Sequence, residues 1–121
     1  MFALTEDIRF FFCRYAVNFS CGINGLCHLI ESMTVLSPVS GDAFVFFSKN
    51  RRQCKILRWD TDGYILYQKR LSKGRFNLPD FNEETGTFEL NWDTFYCIMK
   101  GIDFDTVSYD KRFRMKAKKI T

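Results

Sequence analysis

The apolar positions of this 121-residue chain change period several times, and each change marks an element. Residues 8–15, IRFFFCRY, are rich in strand-favouring aromatics and too few for a stable helix, which predicts an early strand. From Ile23 the apolar residues Ile23, Leu26, Cys27, Ile30 and Met33 recur at steps of three and four, so they share one face of a helix, with Ser20 as its cap. Pro38 restrains the residue before it to extended backbone, and the helix should stop before Leu36-Ser37-Pro38.

Residues 43–48 are apolar on both parities of the strand period, as in a central strand covered on both faces. A turn at Lys49-Asn50-Arg51-Arg52 leads to a strand over 54–60, and Asp60-Thr61-Asp62-Gly63 is a hairpin turn before another over 64–71. Three adjacent antiparallel strands follow. The acidic stretch 80–86 reads as a surface loop, 87–90 as a short strand, and 92–100 as a second helix with Asn91 as cap, Asp93 in the first turn and Gly101 just past its end. The expected fold is therefore α+β: a small, mainly antiparallel sheet of about four to five strands with two principal helices. Residues 1–109 read as one compact domain and 110–121 as a basic tail outside the packed structure.

Composition agrees with a folded single domain. Hydrophobic residues make up 46% of the chain, 14 of them Phe, which is ample apolar surface to offset chain entropy. The first residues lack a basic segment followed by a long apolar run, and no apolar stretch reaches membrane-spanning length, so the expectation is a soluble, cytoplasmic protein. Five Cys within apolar strings read as reduced thiols.

Charge changes the picture more. Residues 1–48 carry 2 basic and 4 acidic groups, 49–75 carry 9 and 2, 76–110 carry 1 and 8, and 111–121 carry 6 and none. Blocks of like charge form patches for an oppositely charged partner, nucleic acid being the obvious one for the basic blocks. The other reading is a basic tail folded back on the acidic segment. The candidate contacts are Arg51, Arg52, Lys55, Arg58, Lys69, Arg70, Lys73 and Arg75 with Lys111, Arg112 and Arg114 of the tail, and Trp59, Tyr64 and Tyr67 lie between them. Cations held along a surface bind phosphates, and interleaved aromatics can stack on bases; the same aromatics could equally be core.

The chain offers little for catalysis. Cys21, Cys27 and His28 match no zinc spacing, and Cys27 lies on the apolar helix face. Asp60 and Asp62 belong to a loop with Tyr64 and Leu71 where a calcium loop needs oxygen ligands. The glycines of 21–25 and 72–75 make no phosphate loop. No enzyme, metal or cofactor is expected.

The stretch 50–76, NRRQCKILRWDTDGYILYQKRLSKGRF, resembles the accessory protein, labelled TnpB or second-open-reading-frame protein, of insertion sequences of the sixty-six family. An Asn-Arg-Arg turn, a Lys-Ile-Leu strand, a Trp-Asp-x-Asp-Gly turn and a Lys-Arg-Leu followed by Gly-Arg-Phe come in the family's order, with Asn50, Lys55, Trp59, Gly63, Lys69 and Gly74 in place. Ser40-Gly41-Asp42-Ala43-Phe44-Val45-Phe46 resembles the family's entry strand, Gly25-Leu26 its first helix, and Lys100-Gly101-Ile102-Asp103 the end of its last, so the likeness covers about residues 15 to 104. Two departures stand out: Asn18-Phe19-Ser20-Cys21-Gly22 replaces Asp-Met-Arg-Lys-Gly, and Leu78-Pro79 replaces Trp-Pro. The resemblance implies a non-catalytic helper in DNA transposition beside a separate transposase. Its implied partners are DNA at element ends, the transposase and a sister accessory protein. The alternative is a protein–protein adaptor docking on the transposase without DNA contact.

Overall fold

A computed structural model describes residues 3–15, 17–79 and 86–101, together with the backbone of Ala117–Lys119. The elements run β1 (Phe10–Arg14), α1 (Ile23–Met33), β2 (Ala43–Phe47), β3 (Gln53–Asp60), β4 (Gly63–Arg70), β5 (Gly86–Leu90), α2 (Trp92–Lys100) and β6 (Ala117–Lys119). They form one sheet in the order β4-β3-β2-β1-β5-β6. Only β1 and β2 are parallel among these neighbours, joined by the crossover that contains α1; the other pairs are antiparallel, as the alternating strand directions require. The α+β expectation holds, including the three-strand meander β2-β3-β4.

Helices cover both faces of the sheet. On one face Leu26, Cys27 and Ile30 of α1 pack on Phe11, Phe44, Phe46 and Leu57. On the other, Phe95 and Ile98 of α2 pack on Phe10, Phe12, Val45, Ile56, Phe88 and Leu90. Alternate residues of β2 therefore enter two different cores, and this is why that strand is apolar at every position. Phe10 stacks on Phe95 at 4.1 Å between ring centres, tying α2 to the middle of the sheet.

The helix ends follow local chemistry, with one correction. The cap of α1 is Gly22, without a side-chain hydrogen bond, in place of Ser20. Ser20 is engaged instead with Asn18, whose Oδ1 accepts from both its amide and its hydroxyl. At the other end the Thr34 hydroxyl donates to the Ile30 carbonyl at 2.7 Å and accepts from the Leu36 amide at 3.0 Å, so the chain leaves the helix before Pro38. Asn91 caps α2 by accepting from the Thr94 amide at 2.9 Å, and Gly101 closes it in the left-handed conformation (φ 73°).

An ion pair fastens the parallel joint. Arg9 donates from Nε and Nη2 to the two carboxylate oxygens of Asp42, each at 2.9 Å, and the Ser40 hydroxyl donates to the same carboxylate at 2.8 Å. Asp42 is buried and Arg9 exposed, and the nearby carboxylate raises the guanidinium pKa further. The Asp42→Ala variant should lose about 1.5–3 kcal/mol, the usual worth of hydrogen bonds to a charged group, read as a lower urea midpoint at unchanged slope.

The five cysteines are free thiols, four of them buried. Burial pushes the Cys13 and Cys54 thiols up to about 12. Because the folded value lies above the ordinary 9.0, their contribution to stability is intact below that pH and is lost as pH rises towards 12. In native alkylation at neutral pH, peptide mass spectrometry should find half-buried Cys21 labelled first, and Cys13 and Cys54 only after unfolding.

Of the basic tail expected outside the packed domain, Ala117–Lys119 pair with β5 as β6. The rest of that tail, and residues 80–85 of the expected loop 80–86, lie outside the described residues, while Gly86 opens β5.

Candidate nucleic-acid interface

Strand register decides which charges meet. Phe47 pairs with Cys54, Gln53 with Arg70, and Arg14 with Gly86, so β1, β2 and β4 end where β3 and β5 begin. The turn after β2 and the chain leaving β4 consequently meet at one end of the sheet. That end carries Lys49, Arg51, Arg52, Lys69, Arg70, Lys73 and Arg75, all exposed. Asp60 and Asp62 lie at the other end, with Glu6, Asp7 and Asp42 around the opposite termini of β1 and β2. Charge blocks in sequence thus become a dipolar distribution along the strand axis.

The basic end is a built structure. Ser48 and Asn50 shape the turn: Ser48 Oγ accepts from the Arg52 and Gln53 amides at 3.2 and 3.0 Å, and Asn50 Oδ1 accepts from the Arg52 amide at 3.1 Å and the Ser48 hydroxyl at 2.8 Å. The carbonyls of Arg51 and Arg52 accept from the amides of Phe76 (2.7 Å) and Leu71 (2.8 Å), which pins the two basic segments together. Gly74 turns the chain at φ 74°, leaving Arg75 exposed while Phe76 is buried against Phe47 with ring centres 5.3 Å apart. The Asn-Arg-Arg and Gly-Arg-Phe motifs are therefore two halves of one scaffold. Arg51 itself stands at φ 60°, a conformation that costs a residue with a Cβ about 1–2 kcal/mol.

Two cations of this end were not among the sequence candidates. Arg14 and Lys49 line a groove of about 190 Å³ with Tyr15, Ser48, Arg51 and Leu78. Lys49 was legible as the neighbour of the Asn-Arg-Arg turn. Arg14 was not, because nothing in the sequence sets β1 parallel to β2.

Two sequence candidates do not join the cluster. Lys55 is buried against the segment that leads into α1, where its ammonium donates to the Phe19 and Cys21 carbonyls at 2.7 and 2.8 Å and sits 5.0 Å from the Phe19 ring centre. It is a structural cation. Arg58 lies at the opposite, acidic end, with Nε donating to the Gly41 carbonyl at 3.2 Å. Lys69 is exposed but shared, donating to the Met99 carbonyl at 3.2 Å beside the end of α2. Lys111, Arg112 and Arg114 lie outside the described residues.

The aromatics separate from the charges as well. Trp59 and Tyr64 form an edge-to-face pair 4.9 Å apart at the acidic end, and Tyr67 packs half-buried on the α2 core. Trp59 and Tyr64 thus lie at the opposite end from the exposed cations, whereas Tyr67 stands two residues from Lys69 on β4. Of the other sequence candidates, Cys27 is buried in the α1 core, His28 is exposed on that helix, and Asp60 and Asp62 flank the β3–β4 turn. Among the described residues no group of three or more His, Cys, Asp or Glu is placed to hold a metal ion.

Residues 8–109 match the family model described as IS66 Orf2 like protein. Two curated relatives come from Sinorhizobium fredii. One, the uncharacterized protein y4jC, is 30% identical over 107 residues, covering 88% of this chain and 90% of the relative. The other, the uncharacterized protein y4hO, is 26% identical over 99 residues, covering 82% and 84%. No solved structure matches the chain. No helix among the described residues is long and apolar enough to cross a membrane.

Proposed function

The chain belongs to the IS66 Orf2-like family of insertion-sequence accessory proteins, and from that premise we propose that it assists transposition by gripping duplex DNA through the basic end of its sheet. The observation that carries this reading is the convergence of Lys49, Arg51, Arg52, Arg70, Lys73 and Arg75, all exposed, on two segments pinned by backbone hydrogen bonds. A rigid row of cations loses little freedom on meeting phosphates. The four strand ends from β1 to β4 extend over roughly 15 Å at about 4.8 Å per strand, enough to follow several phosphates along a duplex. Keeping an arginine at a left-handed position, where glycine would be less strained, also supports a role for its side chain.

The mode of binding follows from which groups are exposed. With Trp59 and Tyr64 packed at the acidic end and Tyr67 half-buried, the exposed groups of the site are mainly charges, which suits a duplex backbone better than unpaired bases. The protein would hold element ends for the transposase and leave the cleavage chemistry to it.

Fluorescence titration against a labelled duplex from an element end and a scrambled duplex tests the reading. Binding at low salt that weakens steeply towards physiological salt is expected with both duplexes; no binding at low salt would remove it.

The adaptor reading draws on a different observation. The loop after α1 exposes Val35 (82%) and Val39 (52%) beside an open hollow bounded by Glu31 and Tyr64, an apolar surface of the kind proteins dock on. Co-purification with the transposase that survives nuclease treatment and is lost in the Val35→Asp variant, without any duplex binding, would put this reading in place of the first.

A further inference from the structure

Strand β4 ends the sheet with eight residues, Gly63–Arg70, while the strand at the opposite edge, β6, has three. The amide of Leu71 donates to the Arg52 carbonyl, so the backbone groups of the odd-numbered residues face β3. Backbone direction alternates along a strand, which turns the N–H and C=O groups of Tyr64, Leu66, Gln68 and Arg70 towards the other side. Among the described residues no strand pairs with that side. Its centre, Tyr64-Ile65-Leu66-Tyr67, carries none of the charges that usually blunt an edge.

We infer that this edge pairs with the same edge of a second copy, antiparallel about a twofold axis through Tyr67, making one continuous sheet across the dimer. That register sets Tyr64 opposite Arg70 of the second copy and Leu66 opposite its Gln68, so all four outward-facing residues find partners. Charge selects both the occupant and the direction. An antiparallel pair brings the Asp60–Asp62 end of each copy against the Lys69, Arg70 and Lys73 end of the other, whereas a parallel pair would set like charges together. The strand is self-complementary because the chain's charge is dipolar along it. The dimer presents two basic ends and stands independently of whether those ends bind DNA.

Sedimentation velocity across a hundredfold dilution reads the pairing directly. The wild-type protein is expected to run as two chains at the concentrated end and to dissociate on dilution. Gln68→Pro removes an outward donor at an exposed edge position and leaves the β3 ladder intact, so that variant should stay a single chain with an unchanged circular dichroism spectrum. A wild-type protein that is monomeric throughout, or a variant that pairs as well as the wild type, would overturn the inference. Should the variant fail to fold, wild-type hydrogen exchange decides. The amides of Tyr64, Leu66, Gln68 and Arg70 should exchange about tenfold faster at the dilute end, while those of Ile65, Tyr67 and Lys69 stay protected. Exchange at the four outward amides that ignores concentration would contradict it.

Discussion

Replacing Arg51, Arg52, Arg70 and Lys73 together by Glu should weaken duplex binding by about 100-fold or more at low salt, while the far-ultraviolet spectrum stays that of the wild type. Each phosphate neutralised contributes roughly 0.9 to the slope of log affinity against log salt, so four contacts correspond to a loss of about 100-fold between 50 and 200 mM salt. The variant should have lost that slope. Folding should survive because all four side chains are exposed, and the hydrogen bonds that build this end come from the backbone, Ser48 and Asn50. An affinity within a few-fold of the wild type would remove the strand end as the site, whatever else binds DNA.

The second large effect is on stability. Lys55→Met should cost about 2–4 kcal/mol, because two carbonyls of the segment leading into α1 lose the ammonium that satisfies them. Above the new unfolding midpoint the variant should remain unfolded; below it, its salt slope for duplex binding should match the wild type's. The two variants therefore separate folding from function within a single stretch of sequence. A Lys55→Met protein as stable as the wild type, but with a reduced salt slope, would return Lys55 to the binding surface.

Lys55 also marks where sequence reading stops. Its neighbours Arg51, Arg52 and Arg58 are equally basic. What distinguishes Lys55 is a pair of carbonyls 36 and 34 residues earlier in the chain. They come from the segment 18–22, which leads into α1 and here holds a buried lysine. The periodic elements were legible because their signals are local: the three- and four-residue steps of α1, the Asp-Gly turn between β3 and β4, and the Asn91 cap with the Gly101 stop of α2. The parallel β1–β2 joint was not, since its pairing is set by a long crossover and the Arg9–Asp42 ion pair, whose members are 33 residues apart. With that joint hidden, so was the place of Arg14 at the basic end. The place of Arg58 was hidden for a related reason: it belongs to the basic block in sequence, but strand β3 carries it to the other end of the sheet.

Backbone amide shifts followed as a short duplex is titrated into the labelled protein test the central claim most directly. The expected perturbations gather at the turn 48–53, the segment 69–76 and the end of β1, and leave the loop after α1 unmoved. Perturbations centred on the loop after α1, or none at low salt, would contradict a DNA grip at the basic end of the sheet.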